Sequence, residues 1–228
     1  MRRLSSLWFA AAAVALAPIV TAAHAQETTR TVANGGIHVA GWQGQPDRGS
    51  ITGDLLAKEG DALHVTTGPA AAFWNPSNTA SGNYTVSATF REPKFMDLNP
   101  HPHPYGVFIG GTEMGTPNQS YLYCAAYGDG RYIFRGFGPK PFQMNGREGE
   151  SNPAVHKAAA VGQPVSQEIA MQVRGDKVSC IINGTTVATY EKSQVVGEGK
   201  AKSLDGVYGI RFAHNTDGYV TNLKVTHP

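Results

Sequence analysis

Apolar and polar side chains alternate in short stretches along most of the chain, and each such stretch predicts a β-strand with two chemically different faces. The ten clearest stretches cover residues 62–67, 83–90, 105–111, 120–127, 131–137, 167–175, 177–183, 185–190, 207–214 and 219–226. The 27 glycines and 14 prolines are spread between and around them. Many short strands separated by turn residues are typical of an all-β sandwich or barrel.

Three of the breaks between these stretches have the composition of tight hairpin turns. Gly128-Asp129-Gly130 separates two aromatic stretches, and Gly175-Asp176 separates the next pair. Asn183-Gly184 is the pair favoured in type I′ turns, whose two central residues need a positive φ. We therefore predict three antiparallel hairpins at these positions.

One long connection, at residues 136–164, does not follow the alternating pattern. Inside it, residues 154–162 contain four alanines and are bounded by Pro153 and Pro164, which predicts at most one short surface helix. Ordered connections of this length commonly serve function or cover an edge of the fold. We expect this loop to lie over one face or edge of the sandwich.

The first 25 residues have the pattern of a secretory signal peptide. A basic start is followed by an apolar stretch and by Ala23-His24-Ala25, a small-residue motif typical of cleavage sites. Cleavage would leave 228 − 25 = 203 residues, which is enough for one β-domain. We predict a flexible segment at 26–36, a sandwich domain at 37–228, and a protein that is exported, either periplasmic or secreted and not membrane-spanning.

Charge and motif content exclude several classes of function. The formal net charge is only +2 and no basic stripe is present, which argues against nucleic-acid binding. The chain contains no phosphate-binding loop and no G-x-S-x-G nucleophile motif, so no cofactor is expected. The oligomeric state stays open.

The two cysteines, Cys124 and Cys180, lie in different predicted strands. An exported protein could pair them, provided that their Cα atoms come within about 7 Å of each other. The alternative is that both are small buried apolar residues.

The order of these features resembles that of concanavalin A-like jelly rolls. The best match is VRGDKVSCIINGTTVATY followed by GVYGIRFAHNTDGYVTNL, and the resemblance covers most of residues 37–227. More narrowly the chain resembles the DUF1080 group, the 3-keto-disaccharide hydrolase-like domains. This resemblance implies a two-sheet antiparallel β-sandwich and a glycoside hydrolase or lyase activity. Gly110 stands where that group carries an arginine.

A row of tyrosines suggests a ligand-binding surface. In the stretch SYLYCAAY the two-residue period places Tyr121, Tyr123 and Tyr127 on one face, where Arg131 or Arg135 of the next strand could join them. Aromatic rings beside planar polar groups suit a carbohydrate groove, although the tyrosines could equally be buried under the long loop. The predicted ligand-binding residues are Trp74, Tyr105, Tyr121, Tyr123, Tyr127, Arg131, Arg135, His214 and Asn215.

The motif His101-Pro102-His103-Pro104 has two histidines on one side of an extended backbone, because proline restricts the chain to extended conformations. Two imidazoles alone do not make a closed metal site, and a third would have to come from His214 through folding. Glu113 and Asp97 are further candidate ligands. We favour contacts with a ligand at the rim of a binding site over a metal, so no metal is predicted.

Catalysis has weaker support in the sequence. Most acids lie at turns, and only Glu113, together with His101 and His103, is a candidate for acid–base chemistry. The leading hypothesis is an exported, lectin-like carbohydrate-binding protein. The alternatives are a glycoside hydrolase or lyase of the 3-keto-disaccharide type and a cell-envelope interaction domain.

Overall fold

The computed structural model describes residues 29–228, so the expected signal peptide at 1–25 lies outside it. Two eight-stranded sheets pack face to face as a β-sandwich. Neighbouring strands are antiparallel except at one edge, where the first strand pairs with the third in parallel. No helix in residues 29–228 has the length and apolar character needed to cross a membrane.

The strands of each sheet, in their spatial order, have the following bounds. The first sheet contains β1 (Gly36–Ile37), β3 (Asp54–Glu59), β4 (Ala62–Thr67), β16 (Asp217–Thr226), β6 (Tyr84–Glu92), β12 (Val165–Arg174), β13 (Lys177–Ile182) and β14 (Thr185–Glu191). The second contains β10 (Pro141–Gln143), β9 (Arg131–Phe137), β8 (Ser120–Ala126), β7 (Tyr105–Thr112), β15 (Gly206–Phe212), β5 (Ala71–Ala80) and β2 (Gln43–Pro46), and β11 (Glu150–Ser151) pairs with β9. A 3-10 helix at Ile51–Gly53 and the short helix α1 (Lys192–Val195) complete the described elements.

All ten predicted strands are present, and β4 and β9 have the predicted bounds. The three predicted hairpins are confirmed as β8–β9, β12–β13 and β13–β14. In the last of them Asn183 has a φ of 48° and Gly184 a φ of 80°, as a type I′ turn requires.

Residues 154–162, for which at most one short helix was expected, form turns and no helix. The buried side chain of Gln167 accepts a hydrogen bond from the backbone N–H of His156 at 3.0 Å and donates one to the carbonyl of the same residue at 2.8 Å. These bonds satisfy backbone groups that a helix would have used internally. The segment therefore lies along the sheet as turns, with a single bridge between Lys157 and Asp129.

The strand β5 was not among the predictions, because its sequence AAFWNPSNTA has no alternation and contains Pro76. Proline cannot donate to a sheet ladder. In the structure Pro76 lies where the pairing of β5 with β15 shifts register, between the pairs Trp74–Gly209 and Thr79–Val207. The ladder is interrupted there, so the proline is tolerated.

The core between the two sheets consists of the inward-facing residues of both. On β8 these are Leu122, Cys124 and Ala126, all completely buried. Cys124 forms a disulfide with Cys180 of β13, with the Cα atoms 5.8 Å apart. The disulfide therefore joins the second sheet to the first through the middle of the core.

Candidate functional site

A cleft of about 550 Å³ lies on the outer face of the second sheet. Its floor is formed by β8, β9 and β15, one wall by the His101–Pro104 segment with His214, and the other wall by β10 and the loop that follows it. One wall thus belongs to the segment that precedes β7, and the other includes the edge strand β10, which pairs with β9. A cleft of this size is in the range of small-ligand sites.

The floor follows directly from the two-residue period of the strands. On β8, Tyr123 and Ala125 point away from the sandwich core, and on β9 Ile133 does the same. The inward neighbours Cys124 and Phe134 fill the core. The predicted division of SYLYCAAY into a core face and a tyrosine face is therefore confirmed.

Arg211 of β15 is a central residue of the cleft that the sequence reasoning missed. Only 6% of its surface is exposed, and its guanidinium lies 5.8 Å from the ring centre of Tyr123 and 5.3 Å from that of Phe137. It donates a hydrogen bond to the Asp47 carboxylate, while its Nη1 finds no hydrogen-bond partner within residues 29–228. Burial alone would lower the pKa of Arg211, but Tyr121 and Asp47 raise it above its usual value, so the group is charged.

Gly106 allows β7 and β8 to approach closely next to Arg211. It lies between Arg211 and Ala125 in the cross-strand row. A Cβ at position 106 would lie only 1.9 Å from the carbonyl oxygen of Cys124, so no larger residue fits. The glycine therefore permits the close pairing of β7 with β8 in the floor of the cleft.

Two further arginines of β9 line the cleft. The guanidinium of Arg131 lies 4.8 Å from the ring centre of Tyr127 and binds the Asp129 carboxylate at 2.8 Å. Hydrogen bonding to Asp129 raises the pKa of Arg131. Arg135 donates to the carbonyl of Arg147, and its buried Nε has no partner within the described part of the chain.

Three histidines meet at the end of the cleft nearest the start of β7. Nδ1 of His103 lies 2.5 Å from the carbonyl oxygen of His214, and its Nε2 lies 2.8 Å from Nε2 of His101. One ring nitrogen from each of the three lies within 4.8 Å of the others. His101 is exposed, His214 is half-buried and His103 is buried, so the group faces the cleft on one side.

The structure brings together about half of the predicted ligand-binding residues. Tyr123, Tyr127, Arg131, Arg135 and His214 line the cleft, together with His101 and His103. Tyr105 instead packs in the inter-sheet core against Phe90 and Phe212. Its position as the first residue of β7 gives it the inward orientation of Val107 and Ile109.

Three other predicted ligand-binding residues also lie outside the cleft. Tyr121 is completely buried beneath Phe137, with the two ring centres 4.9 Å apart. Trp74 is 2% exposed and packs with Met114 under the loop that follows β7. Asn215 is buried and accepts a hydrogen bond from the backbone N–H of Arg30 at 2.7 Å.

Glu113 is not part of the histidine group. It follows β7, whereas the histidines precede that strand, and eight residues of strand extend about 25 Å. Glu113 instead forms an ion pair with Lys202 at the far end of the sheet. The predicted pairing of Glu113 with His101 or His103 as acid and base is therefore wrong.

A second, smaller cleft of about 380 Å³ contains three carboxylates, Glu92, Asp97 and Asp217, which were expected to be solvated turn residues. Asp97 is exposed, whereas Glu92 and Asp217 are not. Burial raises the pKa of Glu92 to about 7. Burial also acts against ionisation of Asp217, but hydrogen bonds from His64 and Thr66 keep its pKa below the usual value. The two acids therefore differ in protonation near neutral pH.

The two-residue alternation along β15 could have identified Arg211 as an outward-facing residue. Ile210 and Phe212 are the inward residues of β15, which places Arg211 on the outer face, opposite the core. A charged residue in the middle of an apolar strand has to find a partner or a ligand. Other missed cleft residues include Asp47, which lies far away in the chain, and Phe137, Phe142, Arg147 and Glu148, which belong to the end of β9 and the connection that follows it.

These features define an antiparallel β-sandwich of the concanavalin A-like, jelly-roll type with a polar and aromatic cleft on the outer face of one sheet. Among solved structures, the chain is similar to the carbohydrate binding module CBM66 from Bacillus subtilis, with 8% identity and a TM-score of 0.56 over 83% of this chain and 97% of that one. It is also similar to a protein of unknown function with a galectin-like fold from Bacillus subtilis, with 13% identity and a TM-score of 0.54 over 82% of this chain and 89% of that one. At such low identity these likenesses show the fold alone. No protein-family model matches the sequence, and no curated protein sequence matches it.

Proposed function

We propose that this protein binds a glycan in the cleft on its second sheet, and that the glycan carries carboxylate or other anionic groups. The observation that carries the proposal is the buried Arg211 guanidinium, which lies beside the rings of Tyr123 and Phe137 in the cleft and whose Nη1 has no hydrogen-bond partner within residues 29–228. A buried cationic donor without a full set of acceptors is costly unless a ligand supplies the missing acceptor.

Aromatic rings support a saccharide as the ligand. Tyr123, Tyr127, Phe137 and Phe142 line the cleft, and rings of this kind pack against the C–H faces of sugars while neighbouring polar groups bind hydroxyls. Tyr123 and Tyr127 are only 7% and 8% exposed, so little of either ring is open to a ligand. The polar side chains therefore carry most of the recognition.

Charge supports an anionic sugar over a neutral one. Four arginines line the cleft, at positions 131, 135, 147 and 211, against the two carboxylates of Asp47 and Glu148, which leaves a formal balance of 4 − 2 = +2 before any histidine is counted. Arginine binds carboxylates through two parallel hydrogen bonds, which gives both strength and orientation. Uronate-containing oligosaccharides fit this chemistry.

We also propose that the protein acts outside the cytoplasm. The Cys124–Cys180 disulfide supports this, because structural disulfides persist mainly in oxidising compartments. The narrower resemblance to the DUF1080 group supports hydrolysis or lysis of a sugar as a second candidate activity. The pair Glu92 and Asp217 favours that candidate, since two acids held in different protonation states can divide the roles of acid and base.

Calorimetric titration tests the proposal with matched oligosaccharides, uronate-containing and neutral, against the wild type, Arg135→Ala and Arg174→Ala. Arg135 lines the cleft, whereas Arg174 is exposed on β12 of the other sheet and serves as the control. We expect uronate oligosaccharides to bind the wild type and Arg174→Ala equally, and to bind Arg135→Ala about 10–100-fold more weakly, as is usual for a lost charge-assisted hydrogen bond.

The other outcomes separate the alternatives. Equal binding of neutral and uronate sugars would contradict the anionic ligand, and binding that Arg135→Ala leaves unchanged would exclude this cleft. Chromatography of the bound sugars would show cleavage products if the second candidate is correct. If none of the oligosaccharides binds, the glycan proposal is overturned and a cell-envelope interaction domain is favoured.

A further inference from the structure

We propose that His101, His103 and His214 form a binding site for one divalent transition-metal ion, with zinc the best fit, at the histidine end of the cleft. The inference concerns these three side chains alone and does not depend on whether the cleft binds a glycan. Neutral imidazoles are the ligands that zinc and its neighbours in the first transition row prefer, whereas calcium and magnesium prefer oxygen.

Convergence of the three rings is the first observation. One nitrogen of each imidazole lies within 4.8 Å of the others, and Nε2 of His101 lies 2.8 Å from Nε2 of His103. The ring centres are also close together, 4.5 Å apart for His101 and His103, 4.0 Å for His103 and His214 and 6.3 Å for His101 and His214. Two nitrogens bound to one zinc at 2.0–2.1 Å are about 3.3 Å apart in a tetrahedron, so shifts of about 1 Å in side chains suffice.

The protonation of His103 is the second observation. A carbonyl oxygen can only accept, so the 2.5 Å contact with the His214 carbonyl places a proton on Nδ1 of His103. In the neutral ring the lone pair is then on Nε2, the atom that faces His101. A histidine that donates one ring N–H to a backbone carbonyl and presents the other nitrogen to a metal is the usual arrangement at metal sites.

The fold holds two of the ligands at neighbouring positions. Tyr105 of β7 pairs with Phe212 of β15, and the backbone N–H of Ala213 continues this ladder by donating to the Pro104 carbonyl at 2.9 Å. One step further along, His103 and His214 lie side by side. Their separation of 111 residues in the chain is thus bridged by regular strand pairing.

The remaining parts of the site are also restrained. Pro102 and Pro104 limit the backbone on both sides of His103, and the hydroxyl of Thr216 donates to the His214 carbonyl at 3.2 Å. His101 is the exposed member of the group.

Three nitrogen ligands leave one coordination position open in a tetrahedral site. All three histidines line the cleft, so this position faces the space that a ligand would occupy. A bound metal would therefore accept a water molecule or a ligand oxygen there. Such an open site differs from the closed four-ligand sites that serve structure alone.

The test measures zinc binding to tag-free protein after removal of metals with a chelator, with no sugar present. We expect one zinc per chain by elemental analysis, a Kd of about 1 µM or tighter by competition titration, and a Tm increase of about 5 °C at 100 times the Kd. Calcium and magnesium should leave the Tm unchanged. His101→Ala and His214→Ala should each weaken zinc binding at least about tenfold.

The matched control is His38→Ala, which removes an exposed histidine whose Nε2 bonds to the Asn34 carbonyl far from the group in sequence. This variant should bind zinc like the wild type. His101→Ala is the decisive variant, because an exposed side chain can be removed without disturbing the fold. The proposal would be overturned if the wild type did not retain zinc, or if His101→Ala and His214→Ala both bound zinc as the wild type does. The 2.8 Å contact would then be an imidazole–imidazole hydrogen bond.

Discussion

Asp54 and Arg211 are both buried, but they differ in their hydrogen-bond partners and therefore in whether the buried side chain is charged. Arg211 has a carboxylate partner in Asp47. Asp54 is 0% exposed, and one of its oxygens accepts only the backbone N–H of Gly68 at 3.0 Å, while Oδ2 has no hydrogen-bond partner within residues 29–228. Burial therefore raises the pKa of Asp54 to about 7, which favours the neutral acid in the native state.

Asp54→Asn is expected to remove part of the pH dependence of stability. A native pKa of about 7 against the ordinary aspartate value of 3.8 in the unfolded chain means that the contribution of Asp54 is fully present below about pH 4 and is lost as the pH rises through 7. Asparagine does not ionise. The variant should therefore melt close to the wild type at pH 4 and about 5 °C or more above it at pH 8, as measured by thermal unfolding.

The control for this prediction is Asp61→Asn, which changes an exposed acid in the turn between β3 and β4. Its Tm should follow the wild type at every pH. If Asp54→Asn also ran parallel to the wild type between pH 4 and 8, Asp54 would be ionised in the native protein and the assignment would be wrong.

At the scale of the elements, the β13–β14 hairpin also positions a distant segment. The Asn183 amide donates to the Ala154 carbonyl at 2.8 Å and to the Gln167 side chain at 2.7 Å. Its oxygen accepts from the backbone N–H of Glu168 at 2.8 Å. The turn thus fixes the segment at 154–162, for which at most one short helix was expected, and it does so through side-chain contacts that no local pattern shows.

Asn183→Ala should lower the free energy of unfolding by about 2–3 kcal/mol, because three hydrogen bonds are lost and buried backbone groups lose partners. Denaturant unfolding measures the change. Asn222→Ala is the matched control, since Asn222 also has a positive φ of 56° but is exposed and makes no side-chain hydrogen bond recorded within the described residues. We expect the control to cost about 1 kcal/mol, from backbone strain alone. Equal losses in the two variants would refute the anchoring role.

At the scale of the whole molecule, the two sheets are held together by apolar packing and by one covalent link. Cys124 and Cys180 are 56 residues apart in the chain and lie in different sheets. A cross-link between sheets restricts the unfolded chain much more than a link within a hairpin, because the closed loop is long.

Replacing both cysteines by alanine should therefore lower the free energy of unfolding by about 4 kcal/mol on the chain-entropy account of disulfides. Guanidinium titrations with and without reductant measure this. Reductant should destabilise the wild type by a similar amount and should leave the Cys124→Ala/Cys180→Ala variant unaffected. A wild type that is indifferent to reductant under unfolding conditions would show that the disulfide does not contribute.

Much of the fold was predictable because strand formation is local. Alternation placed the ten clear strands, and turn residues placed the three hairpins, including the positive φ values at Asn183 and Gly184. The same alternation divided β8 into a core face with Cys124 and an outer face with Tyr123. It did not find β5, whose pairing with β2 and β15 overrides an unfavourable sequence.

The sequence by itself determined the all-β class, most strand positions and the face on which each strand residue lies, because these depend on a period of two and on turn chemistry within a few residues. Only the tertiary structure decided which outward-facing residues of different strands come together. Arg211 lies over Tyr123, and His214 joins His101 and His103, because β15 pairs with β7 and β7 with β8. Glu113 is excluded from that group by the length of the same strand. Pairing between distant strands depends on the packing of the whole chain, and no local pattern records it.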